Sequence, residues 1–92
     1  MESNQIRNLD RAQYLDSLEP GQIATIQKVA VDEGLYQRLA ALGFRVGKSI
    51  ALIRRASFNG PLQVRVGNTD IILRRSEANR IKVKPLWNVS RF

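Results

Sequence analysis

The sequence predicts a mainly β fold, a small barrel of about five strands with one short α-helix after the first strand. Three observations lead there. Runs of about 4 to 8 β-branched and aliphatic residues recur along the chain, the length of short strands. Gly, Asn and Pro punctuate these runs at close intervals. Only one stretch, residues 32–42, repeats its apolar residues at helical spacing.

Taken in order, residues 1–17 are polar, with Ile6, Leu9, Tyr14 and Leu15 as isolated apolar points. They suit a short helix or a loose arm. Leu18-Glu19-Pro20-Gly21 is a turn signal, since Pro presets φ and Gly permits its positive values. Residues 23–31 read as the first strand. Asp32 is placed to cap a helix, its carboxylate accepting free amide protons of the first turn. Leu35, Tyr36, Leu39, Ala40 and Leu42 form the apolar stripe of that helix, and Gly43 ends it. The stripe of Leu35, Leu39 and Leu42 is read as core, with Tyr36 at its edge. Residues 49–55 form a second strand, with Ile50 and Leu52 on one face. Asn59-Gly60-Pro61 is a loop. Residues 62–66 alternate apolar and polar, the pattern of a half-buried strand. Residues 67–69 turn the chain, with Asn68 expected to take the positive φ of a tight hairpin. A strand follows at 70–74, a helical turn at 76–79 and a last strand at 81–84. Closure into a barrel would remove the exposed sheet edges.

Ninety-two residues suit one domain. The expected division is an N-terminal arm at 1–17, the barrel at 18–84 and a tail at 85–92. Composition is that of a soluble globular chain, 43% hydrophobic and 25% charged. No apolar run approaches the ~20 residues that span a bilayer, and residues 1–10 lack the features of a signal peptide. A cytoplasmic protein without membrane insertion is expected. Cysteine and histidine are both absent. The chain thus lacks thiol nucleophiles, disulfides, the usual neutral-pH general base and the commonest transition-metal ligand. Neither catalytic residues nor cofactors are expected. Asp32 and Glu33 are too few to hold a six-coordinate ion, and capping explains them better. Gly43-x-x-x-Gly47-Lys48-Ser49 falls one position short of a phosphate loop and precedes a strand, whereas such a loop opens a helix.

Charge is unevenly placed. The net charge is +7, yet residues 1–33 carry −3 and residues 34–92 carry +10. Such a balance favours acidic partners. Arg54, Arg55, Arg65, Arg74, Arg75, Arg80, Lys82 and Lys84 lie in or beside the later strands, where outward positions would pool their charge into one patch. A basic small barrel is also a nucleic-acid scaffold. Residues 62–84 contain no aromatic residue on which bases could stack, so nucleic acid is disfavoured and any contact would be to phosphate.

The motifs point to a family. Leu18 to Ile26 reads L-x-x-G-x-x-A-x-I. Arg38 to Gly47 reads R-L-x-x-L-G-h-x-x-G, with h apolar. Pro61 to Val66 reads P-h-x-h-x-h, and Ile71 to Ala78 reads h-x-L-R-x-x-E-A. In order and spacing these resemble the FeoA family over residues 18–84. One departure is Arg45-Val46, where the family often has Pro. The resemblance implies an SH3-like barrel and a non-catalytic role beside the ferrous iron transporter FeoB, whose cytoplasmic part includes a GTP-binding region. It also implies kinship with the C-terminal domain of iron-dependent repressors, whose winged-helix domain has no counterpart here. The alternative is a basic nucleic-acid-binding barrel. The partner-binding candidates are Tyr36, Arg54, Arg55, Arg65, Arg74, Arg75, Lys82 and Trp87. Weak self-association stays open.

Overall fold

A computed structural model describes residues 13–86. Trp87 and the rest of the tail, and residues 1–12, lie outside them. Six strands form one antiparallel sheet: β1 (Gln13–Tyr14), β2 (Ile23–Val29), β3 (Ser49–Arg55), β4 (Leu62–Val66), β5 (Thr69–Leu73) and β6 (Ile81–Pro85). Their spatial order is β1-β6-β2-β3-β4-β5. Helix α1 (Glu33–Ala41) joins β2 to β3, and the single turn α2 (Arg75–Ala78) joins β5 to β6.

Local chemistry accounts for the ends of these elements. Asp32 Oδ1 accepts the Leu35 amide at 2.9 Å, capping α1 as its position promised. Gly43, with φ +93°, ends the helix in the left-handed region. The β4–β5 hairpin has a two-residue loop, because Val66 pairs with Thr69. Its positive φ falls on Gly67, at +60°, and not on Asn68 as the sequence suggested. Glycine at the first loop position is what a type II′ turn requires.

The inner face of the sheet alternates with its outer face. Ala24 and Ile26, Ile50 and Leu52, Leu62, Val64 and Val66, Ile71 and Leu73, and Ile81 and Val83 are all buried. Leu35, Leu39 and Phe44 close one side of this core. No polar or charged residue is buried among the described residues.

Two irregularities bend the sheet. The β2–β6 register shifts between Ile26 and Lys28, and the β3–β4 register between Leu52 and Arg54. Each bulge adds a residue, sharpens the twist and resets which face follows. The first keeps Lys28 outside while Val29 returns inward opposite Ile81. The second leaves Arg54 outside and brings Arg55 opposite Leu62, on the inner side.

Three expectations need correction. Residues 13–17, read as part of an arm, belong to the packed body. Gln13 and Tyr14 pair with Val83 and Lys82, and Leu15 is fully buried in a 3-10 turn (Leu15–Ser17). The pattern was too short to read, because two strand residues show no period. Leu42, read as core, is 47% exposed, since α1 ends before it and it sits at the cap. Finally, the barrel does not close by hydrogen bonds. Among the described residues no ladder joins β1 to β5, so both remain edges. The 3-10 turn that follows β1 packs against α2, which follows β5, and Arg55 at the end of β3 bonds to the same turn.

Candidate functional site

The basic residues of the later strands are not pooled. Arg55 is half-buried and donates to the Asp16 carbonyl at 2.9 Å and to the Leu18 carbonyl. It ties the 3-10 turn to the end of β3 and offers little charge to a partner. Arg65 is exposed but paired. Its Nε lies 2.6 Å from Asp70 Oδ1 and its second nitrogen 3.1 Å from Oδ2. The two residues are direct cross-strand partners. Gln63 adds a third hydrogen bond to Asp70, at 2.9 Å. The Arg65 bond, then that of Gln63, holds the Asp70 carboxyl below its ordinary pKa.

The cations that remain fall on separate surfaces. Lys82 stands between Lys28 of β2 and Tyr14 of β1, its partners across the two ladders, with Lys84 next on the same face. Like charges directly opposite each other destabilise a sheet, and no acid pairs with this row among the described residues. Arg54 is exposed on β3, opposite Gln63. Arg74 is exposed at the start of α2, while Arg75 is half-buried in it. Tyr36 is 43% exposed on α1.

A groove that charge patterning did not reveal lies between α1 and the free edge of β5. Leu35 and Leu39 line it from the helix, Ile71 and Leu73 from the strand, and exposed Leu42 stands at one end. Arg38, Arg74 and Glu77 contribute its polar lip. The Glu77 carboxylate already accepts the Arg74 amide at 2.9 Å. The groove measures about 730 Å³ and is open to solvent, a shape suited to side chains of another chain. Ile72 is 64% exposed at the middle of the edge. At the β3–β4 loop, Phe58 is fully exposed with φ +58°. Sequence reasoning passed over Ile72 and Phe58, because a strand residue and a loop residue carry no periodic sign of exposure. Among the described residues no group of three Asp or Glu side chains could hold a metal ion.

The family follows from comparison. A family model, the FeoA domain, matches residues 14–85. This chain belongs to the FeoA family. The match begins at Tyr14, in agreement with the packing of β1 and the 3-10 turn. No curated protein matches the chain in sequence. Among solved structures, the FeoA protein of Chlorobium tepidum is 27% identical, with TM-score 0.77, covering 87% of this chain and 85% of its own. The FeoA of Stenotrophomonas maltophilia is 32% identical, with TM-score 0.64 over 78% of this chain and 89% of its own. That protein is described as complexed with zinc, as a prokaryotic SH3 domain protein and as a suggested ferrous iron transport activating factor. A manganese-dependent transcriptional repressor shares the fold, with TM-score 0.72 at 21% identity, over 82% of this chain and 42% of its own. The small SH3-like barrel read from the sequence is thus the fold of the FeoA family.

Proposed function

We propose that the protein is a non-catalytic accessory factor of bacterial ferrous iron uptake, which works in the cytoplasm by binding the cytoplasmic region of a FeoB-type transporter and modulating it. The single observation that carries this reading is the FeoA-domain match across residues 14–85. The role suggested for the Stenotrophomonas maltophilia FeoA supports it. So does the character of the surface. The groove is lined mainly by apolar side chains, and its one carboxylate is already hydrogen-bonded to backbone. Such a site fits another protein better than it fits a reaction, which needs convergent acid, base or nucleophile groups. Modulation by binding requires only that the factor prefer one transporter state over another.

Titration of the purified chain into the FeoB cytoplasmic region, with and without guanine nucleotide, tests the reading. Saturable one-to-one binding is expected. Absence of binding in every nucleotide state would remove it. The Lys28–Lys82–Lys84 row favours a second reading, phosphate contact with nucleic acid. Under that reading, binding to mixed RNA would fall steeply as salt rises.

A further inference from the structure

Strand β5 pairs with β4 alone. A two-residue hairpin closes on a hydrogen-bonded pair, and bonded and non-bonded pairs then alternate. Thr69, Ile71 and Leu73 therefore commit their backbone groups to β4. The amides and carbonyls of Asp70 and Ile72 point away from the sheet, and among the described residues no backbone bond reaches them. Sheet edges are ordinarily blunted by Lys, Pro or a bulge. This one has none of these along Thr69–Leu73. Its only charge, Asp70, is held on the outer face by Arg65 and Gln63, and its centre is exposed Ile72.

The groove runs beside this same edge. A strand laid against β5 would alternate its side chains, one set lying beside Ile72 and the other entering the space between β5 and α1. Main-chain hydrogen bonds would supply affinity and the groove would supply selectivity. We propose that the β5 edge receives an extended segment of the partner protein by strand addition, with apolar side chains at alternate positions filling the α1–β5 groove and a carboxylate meeting Arg38 and Arg74. This rests on the reading of the partner as the transporter's cytoplasmic region. An extended segment fits because the edge amides and carbonyls, otherwise met by water, can pair with a backbone whose own groups are free, and those of a helix are already used internally. Acidity follows from the lip, where two guanidinium groups face one carboxylate engaged with backbone. Net charge points the same way: at +7, a second copy of this chain is repelled and an acidic segment attracted.

Amide hydrogen exchange on the full chain, alone and with the FeoB cytoplasmic region, tests the proposal. In the free protein Asp70 and Ile72 should exchange fast while Ile71 and Leu73 are protected. In the complex both should slow by about tenfold or more. Ile72→Lys, a substitution at an exposed site, should leave the melting temperature nearly unchanged and weaken binding by about tenfold or more. Protection of Asp70 and Ile72 in the free chain would mean that another part of the chain, or a second copy, covers the edge, and would overturn the proposal. Binding that protects the Lys28–Lys82 face and leaves Asp70 and Ile72 exchanging fast would overturn it while sparing the transporter reading. Absence of any binding by the unaltered chain would overturn both.

Discussion

Two arginines next to each other in sequence, Arg54 and Arg55, differ in everything that matters to a partner. The bulge between Leu52 and Arg54 sends one outward and the other toward the inner side. Arg55 then satisfies the carbonyls of Asp16 and Leu18. Removing it leaves two partly buried acceptors without their donor, a loss of about 1.5–3 kcal/mol for hydrogen bonds to a charged group. Arg55→Ala should therefore lower the melting temperature by roughly 4–8 °C per kcal/mol lost. Arg55→Lys should recover part of that loss, because an ammonium lacks the fork that reaches both carbonyls. Arg54→Ala should change stability by no more than about 0.5 kcal/mol. Urea denaturation of the three variants decides the matter. A second residue-scale prediction concerns Asp70. Its carboxyl titrates below the ordinary value of 3.8, with Arg65 as the first cause. A carboxyl with a lowered folded-state pKa stabilises the fold above its unfolded value. That contribution is lost as pH falls through the folded value. The loss should fall below pH 3.8, where Asp70→Asn removes it. Because the pair lies at the exposed surface, the effect is small and salt-sensitive. NMR titration of the carboxyl should show its pKa rise in Arg65→Gln.

At the scale of elements, α1 has nine residues, too few to persist alone in water. Its cap and its buried pair, Leu35 and Leu39, hold it in place. Asp32→Ala removes the acceptor of the Leu35 amide and should cost about 1 kcal/mol. Asp32→Ser, which still caps, should restore most of it. Since α1 forms one wall of the groove, the Ala variant should also raise amide exchange at Leu35 and Tyr36 ahead of global unfolding. Gly43 is the stop that aims the chain from α1 to Phe44, which is buried. A side chain there would be strained at φ +93°.

Across the whole molecule, one small apolar core carries the stability. Domains of this size bury a modest share of their surface, so each core side chain counts heavily. Leu52 is fully buried in β3 beside the bulge. Leu52→Ala should cost about 2–5 kcal/mol through lost burial and a cavity, a large part of the stability such a domain has. Calorimetry should find its melting temperature the lowest of the variants considered. The same scale explains the surface. No ladder joins β1 to β5 among the described residues, and α1 lies beside the edge that β5 leaves free. An edge and a groove are thus products of one incomplete closure.

Strands β2 to β6, helix α1, its Asp32 cap and the Gly43 stop were legible residue by residue. Local periodicity and backbone preference act within a few positions and leave their mark in the order of amino acids. Family membership was legible for the same reason, since its motifs are turn glycines and alternating apolar residues at set spacings. Which cations stay free could only be decided by folding. Arg65 meets Asp70 through the β4–β5 register, and Arg55 meets the 3-10 turn across more than thirty residues of chain. A shift of one position in register exchanges the two faces of a strand. Bulges make such shifts, and the sequence does not announce them. The free edge of β5 and the exposure of Ile72 likewise depend on strand order, a property of the assembled sheet rather than of any segment.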